Sequence, residues 1–387
     1  MRITKISATL VNANLRNWVF VRVDTSEPGL CGLGEATLEF QSRAVAARVE
    51  EFEDLLLNKD PRNINWLWEA MFRYPFFRGG AVTMSAISGI DQALHDIQAK
   101  ALGVPLWRLL GGLARTRVQM YDHVGGGDSS AVYGDLSQVM EERVTASKND
   151  GFGAIKILAV PKTRPVDGIE PLREAERLMR AAREAGGDEM DIMVDFHGRT
   201  TAAMAIQYAK VLEPYRPLFI EEVVGPEIPA REMARVAQAT SIPIAAGERL
   251  FHRTDFLPLF EAGAISIAQP DVCHAGGITE TMRIGALAGT FGAHLAPHNP
   301  LGPIATMVNI HIGFALPNFM IQEVMRNDVP WRDEVVRGSV PIVGGFVSPP
   351  ELPGIGIEID EKAAKKHPYK ASAPIQWVHD DGGVAEW

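Results

Sequence analysis

Ile192-Met193-Val194-Asp195 is a short apolar run that ends in a carboxylate, and two runs of the same kind follow it, Leu218-Phe219-Ile220-Glu221 and Ile244-Ala245-Ala246-Gly247-Glu248. The three carboxylates lie 26 and 27 residues apart, which is about the length of one strand and one helix in a parallel α/β fold. Because the carboxyl ends of parallel strands meet at one edge of a sheet, we expect the three side chains to converge. The sequence therefore predicts a site with only oxygen ligands, which suits a hard divalent cation.

The length and composition of the chain restrict its class. With 387 residues it exceeds one average domain, so a barrel with a smaller module is a reasonable expectation. A hydrophobic content of 46% and a charged content of 22% are typical of a soluble globular protein. The formal net charge of −10 argues against nucleic acid and anionic membrane as partners. An anionic small substrate fits this charge only where a local cation offsets it.

Cysteine usage and the first residues bear on location. Cys31 and Cys273 are the only cysteines and stand in no metal-binding pattern, so neither a disulfide framework nor a zinc site is indicated. Residues 1–6 lack the long apolar core of a signal peptide. No apolar run approaches the roughly 18 residues that span a bilayer. We therefore expect a cytoplasmic protein.

Residues 1–115 predict a small α+β module, because expected strands come first and expected helices follow. Apolar and polar residues alternate over 2–11 and 18–24, as in half-buried strands. Helical periodicity covers residues 42–57, 62–73 and 84–102.

Residues 116–340 alternate between short apolar runs and helix-length stretches, which predicts a (β/α) barrel. An open doubly wound sheet is the alternative, since it needs no closure. The tail, 341–387, is rich in Pro and Gly and is expected to fold back onto the first module. The eight runs are 117–121, 153–158, 191–195, 217–221, 242–246, 264–268, 292–296 and 318–322, and the clearest helices are 170–185, 200–213, 230–239 and 276–290.

Two histidines follow these runs and are candidates for acid–base chemistry. His197 stands two residues after Asp195, and strand alternation would place both side chains on one side. His298 ends the seventh run and Asp271 ends the sixth, so the two are expected to be neighbours. A carboxylate bonded to one imidazole nitrogen fixes the tautomer and raises the basicity of the other. The pair Asp271 and His298 therefore predicts an oriented general base, unless His298 only packs a loop.

Other polar strand ends allow two interpretations each. Lys156 is expected to contact a substrate carboxylate or to act as a base, and the alternative interpretation is a solvated lysine. Glu323 is expected either to hydrogen-bond a developing enolate, if it is protonated, or to cap the last strand. His123 is expected to line the pocket from the first strand. Weaker candidates are His252, His274 and Arg249, and the histidines expected in the core are His294 and His311.

Several longer motifs carry a family resemblance. The first module contributes Gly79-Gly80, Ser85-Ala86-Ile87-Ser88-Gly89-Ile90-Asp91-Gln92-Ala93-Leu94 and Gly111-Gly112. The barrel contributes Val194-Asp195-Phe196-His197-Gly198-Arg199, Ile220-Glu221-Glu222, Gly247-Glu248-Arg249, Gln269-Pro270-Asp271, His274-Ala275-Gly276-Gly277-Ile278-Thr279-Glu280 and Ala296-Pro297-His298. Across nearly its whole length the chain resembles the mandelate racemase branch of the enolase superfamily.

This resemblance implies a fold, a cofactor and a mechanism. The implied fold is a modified (β/α)7β TIM-type barrel with an N-terminal α+β capping domain completed by the C-terminal tail. The implied cofactor is Mg²⁺, held by Asp195, Glu221 and Glu248. Sites of the superfamily are known to combine a Lys or His base with Mg²⁺ that stabilises an ene-diolate. The implied assembly is a homo-oligomer.

The resemblance also assigns roles for a sugar-acid substrate. His298, oriented by Asp271, would abstract the α-proton of an aldonate, and His197 would protonate the departing 3-hydroxyl. The product would be a 2-keto-3-deoxy acid, and the two histidines would exchange roles for a substrate of opposite configuration. Lys156 would contact the substrate carboxylate and Glu323 the enolate oxygen. The implied substrate-binding residues are His123, Lys156, His197, Glu248, His298 and Glu323.

One departure from the family narrows the reaction. Racemases of this branch carry Lys-x-Lys where this chain has Lys156-Ile157-Leu158, so leucine replaces one of the two bases. Dehydration by one base and one acid therefore suits the site better, with D-galactonate as the leading candidate substrate. A sugar-acid cycloisomerase or epimerase is the alternative, and a catalytically idle binding protein is a third. The loops 12–18 and 35–41 are expected to close over the sugar, and whether Lys162 or Arg164 reaches the pocket stays open.

Overall fold

A computed structural model describes residues 1–124, 139–372 and 376–386. The described chain begins with an antiparallel sheet in the order β1-β2-β3, formed by β1 (Ile3–Ala13), β2 (Arg16–Thr25) and β3 (Cys31–Glu35). Five helices follow this sheet: α1 (Ser42–Glu51), α2 (Glu53–Leu56), α3 (Ile64–Arg73), α4 (Ala81–Leu102) and α5 (Leu106–Leu109). The helices lie where apolar periodicity predicts them, although the expected first helix is divided in two at Phe52.

Helix α4 packs closely against β3 because two glycines of the strand allow its backbone to approach the helix. A side chain at Gly32 would collide with the carbonyl of Ala93, and one at Gly34 would collide with the carbonyl of Gly89. The core of this module consists of buried aliphatic and aromatic residues from the sheet and from α1, α3 and α4. It is a separate apolar cluster from the one that surrounds the barrel.

The second part of the chain is a parallel barrel. Its strands are β4 (Val118–His123), β5 (Ala154–Ile157), β6 (Asp191–Asp195), β7 (Ile220–Glu221), β8 (Ile244–Ala246), β9 (Ile267–Ala268), β10 (His294–Leu295) and β11 (Gln322–Val324). They are hydrogen-bonded in the order β10-β9-β8-β7-β6-β5-β4-β11. The ring closes because residues 318–320 bond to Leu295 of β10 while residues 322–324 pair with β4. This closure excludes the open doubly wound sheet.

In the described parts of the chain, seven helices on the outside of the barrel connect the eight strands, which gives the (β/α)7β pattern. The helices are α6 (Met140–Asn149), α7 (Glu170–Gly186), α8 (Ala202–Leu212), α9 (Ala230–Ala237), α10 (Arg253–Glu261), α11 (Gly277–Thr290) and α12 (Pro303–Ala315), with a 3₁₀ turn at Glu213–Tyr215. The expected strand at 318–322 is displaced, because the regular pairing with β4 begins only at Gln322.

The barrel interior is filled at its base by one side chain from each strand or the residue beside it. These are Tyr121, Ala154, Met193, Phe219, Ala245, Ile267, Ala296 and Ile321, all buried. Together these large and small side chains fill the lumen. Polar side chains in the barrel therefore lie above this layer, toward the carboxyl ends of the strands.

The tail continues with α13 (Arg332–Val335), β12 (Val336–Arg337), β13 (Phe346–Val347), β14 (Glu358–Ile359) and α14 (Glu361–Ala364). Much of it contacts the first module. The amide of Leu106 donates to the carbonyl of Gly354 at 2.8 Å, and the amide of Asn12 donates to the carbonyl of His367 at 2.8 Å. Two parts of the segment 341–387 differ from the expectation, because β13 pairs with the barrel strand β4 and residues 376–386 contact barrel loops.

Two further expectations of the sequence can be compared with the structure. His311 is fully buried and hydrogen-bonded, as predicted for a core histidine. His294 is exposed at the start of β10, so the prediction of a core position for it was wrong. The regular strand in this apolar run has only two residues, and His294 is the first of them, at the amino end of the strand. In the described parts of the chain, no helix is long and apolar enough to cross a membrane.

Candidate active site

Three carboxylates converge at the carboxyl end of the barrel. Asp195 ends β6, Glu221 ends β7, and the two residues are paired across the neighbouring strands. Glu248 follows two residues after β8, and one oxygen from each of the three side chains lies within 4.8 Å of the others. All three are buried, with exposures of 2%, 0% and 9% in sequence order. The convergence that the equal spacing predicts is present.

Gly247 directs Glu248 into this cluster. Its φ of +140° lies in a region that side chains rarely adopt, and a Cβ there would collide with the ring of Phe256. The glycine lets the chain turn sharply as it leaves β8. Glu248 therefore points to the same place as the two carboxylates that end their strands directly.

Lys156, which stands in β5, is the main counter-charge of the cluster. Its ammonium lies 2.9 Å from Oε1 of Glu221, 2.9 Å from Oε1 of Glu323 and 3.7 Å from Oδ2 of Asp195. The side chain is 1% exposed, so the interpretation of a solvated lysine was wrong. Burial alone would lower the pKa of Lys156, but the carboxylates of Glu221 and Glu323 outweigh it and raise the pKa well above its ordinary value.

The cluster still carries excess negative charge. Burial, together with the neighbouring Asp195, raises the pKa of Glu221 to about 7. Burial, followed by the charge of Glu222, raises the pKa of Glu248 well above its ordinary value. Oε2 of Glu248 is buried and accepts no hydrogen bond from any described residue. Three hard oxygen donors with unmet negative charge fit a divalent cation such as Mg²⁺.

His298 and Asp271 form a hydrogen-bonded pair beside the cluster. Nδ1 of His298 donates to Oδ2 of Asp271 at 2.7 Å, and the backbone amide of Cys273 holds the other Asp271 oxygen at 2.7 Å. Nε2 of His298 lies 3.3 Å from Oε2 of Glu248. Burial would lower the pKa of His298, but Glu248 and Asp271 outweigh it and raise the pKa to about 10. The expected neighbourhood of the two residues is present.

His197 reaches the site by a turn of the backbone. The strand ends at Asp195, and His197 has a left-handed φ of +56°, followed by Gly198 at +65°. The backbone amide of His197 donates to Oδ1 of Asp195 at 2.7 Å. Strand alternation, from which we expected the two side chains on one side, therefore does not apply. His197 lines the cavity because the turn places it there.

Glu323 lies within the last strand, β11, between the ammonium of Lys156 and the ring of His123. Its Oε2 accepts the backbone amide of Asn299 at 2.7 Å, and its Oε1 lies 3.2 Å from Nδ1 of His123. Burial would raise the pKa of Glu323, but Lys156 and His123 outweigh it and bring the pKa well below its ordinary value. This shift favours the ionised form of Glu323, whereas the role that we expected for it at the enolate oxygen requires the protonated form.

A cavity of about 460 Å³ opens over these groups, within the range of small-molecule sites. Glu221, Asp271 and Glu323 are not part of the lining. They contact lining residues instead, Lys156 in the case of the two glutamates and His298 in the case of Asp271. The predicted residues in its lining are His123, Lys156, Asp195, His197, Glu248 and His298. The cavity walls also include Arg16, Glu39, Arg249, His274 and Glu386.

Some of these wall residues escaped the sequence interpretation. Arg16 and Glu39 come from the two loops that were expected to close over the substrate, and Nε of Arg16 lies 3.2 Å from Oε1 of Glu39. No motif marks either residue. Glu386 comes from the C-terminal tail, which was expected to pack on the first module, so the sequence interpretation did not place it in the site.

The weaker candidates divide between the cavity and the scaffold. His274 lines the cavity, and its Nδ1 lies 3.0 Å from Oγ of Ser85 in α4. Arg249 also lines it and binds Glu222, with 2.6 Å from Nη2 to Oε2. His252 instead caps α10. Neither Lys162 nor Arg164 belongs to the cavity lining.

Comparisons with known proteins agree with this architecture. Residues 3–111 match the family model of the mandelate racemase / muconate lactonizing enzyme N-terminal domain, and residues 139–363 match the model described as enolase C-terminal domain-like. A D-galactonate dehydratase of Ralstonia pickettii (strain 12J) is 42% identical over 379 residues, which cover 96% of each chain.

Solved structures show the same likeness. A member of the enolase superfamily from Salmonella Typhimurium superposes with a TM-score of 0.88 at 32% identity, covering 95% of this chain and 98% of the other. A mandelate racemase/muconate lactonizing enzyme from Jannaschia sp. CCS1 superposes with a TM-score of 0.88 at 31% identity, covering 96% and 98%.

Proposed function

We propose a function from the family of this chain, which belongs to the mandelate racemase and muconate lactonizing enzyme family of the enolase superfamily. The proposed function is that of a sugar-acid dehydratase. The proposal rests chiefly on one observation. A carboxylate-bound histidine, His298, and a second histidine, His197, line the same cavity as the three-carboxylate cluster. That set provides one base and one acid beside a cation site, which is what elimination of water requires.

The substrate class follows from the relative and from the charge of the site. The Ralstonia pickettii protein is a D-galactonate dehydratase, and D-galactonate is our leading candidate for this chain. A six-carbon aldonate brings one carboxylate and several hydroxyl groups. The cavity has both the volume and the charged walls to receive such a molecule.

We propose Mg²⁺ as the resident cation, held by Asp195, Glu221 and Glu248. Removing a proton beside a carboxylate creates a second negative charge, which a divalent cation at these three ligands would stabilise electrostatically. Lys156, whose ammonium is held by Glu221 and Glu323, would contact the substrate carboxylate. Its fixed position contributes positive charge without any reorganisation during the reaction.

His298 would take the α-proton at Nε2. Asp271 holds Nδ1 protonated, so Nε2 is the nitrogen that exchanges the proton. The raised pKa of about 10 depends largely on the charge of Glu248, after the opposing effect of burial. A cation held by Glu248 would offset part of that charge and so would lower the pKa of His298, which favours the neutral imidazole that a base requires.

His197 would donate a proton to the departing 3-hydroxyl. The α C–H bond and the C3–O bond break, a C2–C3 double bond forms, and one water leaves. The resulting enol tautomerises to a 2-keto-3-deoxy acid. Glu323, which is ionised, would keep Lys156 and His123 in place rather than donate a proton itself.

Leu158 favours this reaction over its alternative. It lines the cavity where racemases of the branch carry a second lysine base. A 1,1-proton transfer between two bases through that position is therefore excluded by the side chain present. An epimerase or cycloisomerase would need another group to replace that base.

The decisive experiment is a screen of aldonates with Mg²⁺ present, followed by the same screen after chelation. We expect a 2-keto-3-deoxy acid from D-galactonate or a stereoisomer, detected as a 2-keto acid, and loss of activity with chelator. Formation of an isomer without loss of water would reject the dehydratase. Full activity after chelation would show that the reaction does not depend on a divalent cation.

Two broader properties are proposals from the family and the composition. We propose a homo-oligomer located in the cytoplasm. Light scattering on the purified protein would measure its mass, and fractionation of expressing cells would give its location.

A further inference from the structure

The end of the described chain forms a small β-hairpin, which we call the C-terminal hairpin (376–386). The amide of His379 donates to the carbonyl of Gly383 at 2.8 Å, and the amide of Ala385 donates to the carbonyl of Trp377 at 3.0 Å. Gly382 occupies the turn with a left-handed φ of +83°. A glycine after aspartate at that position is typical of a tight hairpin turn. The segment is thus an ordered element with its own hydrogen bonds.

Charged residues attach the C-terminal hairpin to the loop that follows β5. Nζ of Lys162 donates to the carbonyl of Val378 at 2.8 Å, and Nη1 of Arg164 donates to Oδ2 of Asp381 at 2.7 Å. The Arg164 hydrogen bond, helped by the amide of Gly383, lowers the pKa of Asp381 to about 2. Asp381 is therefore ionised at every pH at which an enzyme of this kind would work.

A third contact joins the C-terminal hairpin to the loop that carries His197. The guanidinium of Arg199 lies over the ring of Trp377 at 4.6 Å, and Nη1 of Arg199 donates to the carbonyl of Val160 at 2.6 Å. Arg199 thus joins the hairpin, the loop after β5 and the turn after β6. Exposed ion pairs contribute little singly, whereas a buried guanidinium on an aromatic face contributes more.

The last described residue of the hairpin reaches the active-site cavity. Glu386 lines it, together with Arg16, Glu39 and Arg249. Lys156 and the cation ligands lie at the floor, at the ends of the barrel strands. A substrate whose carboxylate is bound at that floor extends its hydroxyl-bearing chain toward these walls. There the carboxylate of Glu386 can accept hydrogen bonds from the hydroxyl groups of the substrate.

We propose that the C-terminal hairpin is a wall of the substrate site and that Glu386 accepts hydrogen bonds from the distal hydroxyl groups of the sugar acid. The proposal rests on the dehydratase function proposed above. It adds the group that would make the enzyme prefer six-carbon sugar acids over shorter ones. Trp377, Arg164 and Lys162 act as positioning residues that hold the wall against the barrel. Acids with fewer distal hydroxyls forgo this contact.

The first test compares acids of different length. Kd is measured by calorimetry, and kcat/KM by 2-keto acid formation, for six-carbon and four-carbon aldonates in wild type, Glu386→Ala and Glu386→Gln. We expect the preference for the six-carbon acid to fall at least tenfold in Glu386→Ala, because a lost hydrogen bond to a charged group typically costs that much. Glu351→Ala, at an exposed glutamate of the same tail outside the cavity, is the control.

The outcomes separate the two proposals. Turnover with an unchanged length preference in Glu386→Ala overturns the role of Glu386 and leaves the dehydratase intact. A lost preference in Kd without turnover of any acid overturns the dehydratase and supports the wall. Failure of every aldonate to bind overturns both.

The second test needs no substrate. We expect amide hydrogen exchange in residues 159–164 and 196–200 to become faster in Trp377→Ala and in Arg164→Asp, because both variants release the wall. Adding Asp381→Arg to Arg164→Asp restores the opposite charges and should restore protection. Exchange at the wild-type rate in all variants would show that the hairpin does not hold these loops.

Discussion

Nδ1 of His298 donates a hydrogen bond to Oδ2 of Asp271 at 2.7 Å, so a single nitrogen of this imidazole remains for proton exchange. Asp271→Asn removes the charge and allows the wrong tautomer. We predict a fall in kcat of about 10²–10⁴-fold, the usual contribution of an oriented acid–base group. Calorimetry should show unchanged Mg²⁺ affinity, because Asp271 is not among the converging carboxylates. A fall below tenfold would mean that His298 does not depend on this partner.

The roles of His197 and His298 are separable by isotope exchange. If His298 is the base, His197→Asn stops dehydration but lets the α-proton leave and return, so the substrate gains deuterium in D₂O. His298→Asn should stop both dehydration and exchange. Proton NMR of the substrate measures the difference. Exchange that survives only in His298→Asn would mean that the true substrate has the configuration for which the roles are reversed.

Lys156→Met should change how strongly stability depends on the cation. Lys156 is the shared partner of Glu221 and Glu323, so its removal leaves buried carboxylates uncompensated. We predict a loss of about 3–5 kcal/mol in the free energy of unfolding with chelator present. Mg²⁺ should recover much of that loss and stabilise the variant more than wild type.

Lys100→Met is the matched control for that experiment. Lys100 pairs with Asp96 at 2.7 Å within α4, away from the cation cluster. It should lower stability equally with and without Mg²⁺. Denaturant unfolding of the three proteins under both conditions gives the comparison, and equal Mg²⁺ effects in all of them would contradict the prediction.

His311 predicts that the free energy of unfolding falls in acid. Its Nδ1 accepts the amide of Trp107 at 3.1 Å and its Nε2 donates to the carbonyl of Ile355 at 3.0 Å, an arrangement that only the neutral ring can make. Burial lowers the pKa of His311 from 6.5 to about 4. The unfolded chain therefore binds a proton before the folded protein does, and stability is lost as the pH falls from about 6.5 to about 4.

The size of this loss is on the order of 3 kcal/mol, because one pKa unit corresponds to about 1.4 kcal/mol. His311→Gln keeps an acceptor and a donor but does not titrate, so its stability deficit relative to wild type should shrink across that pH range. His294→Gln, at an exposed histidine, is the control. A deficit that stays constant from pH 7 to pH 4 would contradict the prediction.

The sequence predicts the barrel well because its strands are buried on both faces. A strand such as Ile192–Asp195 must be apolar throughout, and the following polar residue marks its open end. Equal spacing of Asp195, Glu221 and Glu248 then predicts their convergence without knowledge of any distance. The pair Asp271 and His298 is predictable for the same reason, since the two residues end neighbouring strands.

What escapes prediction depends on turns and on contacts between distant segments. His197 reaches the cavity through a left-handed residue, which strand periodicity cannot indicate. The ionised state of Glu323 follows from a lysine that is far away in sequence. Glu386 enters through a hairpin with little apolar periodicity, although the Asp381-Gly382 turn signal is present in the sequence.

The closing strand of the barrel has a consequence for biosynthesis. Asp195, Glu221 and Glu248 leave the ribosome long before Glu323, which completes the surroundings of Lys156. A nascent chain that ends near residue 300 has the cation ligands but neither β11 nor the seam at 318–320 that closes the ring. Its ammonium is shared among fewer carboxylates, and its sheet has two open edges. Premature termination in this region should therefore yield an open, aggregation-prone barrel that lacks its last strand, rather than a weakened enzyme.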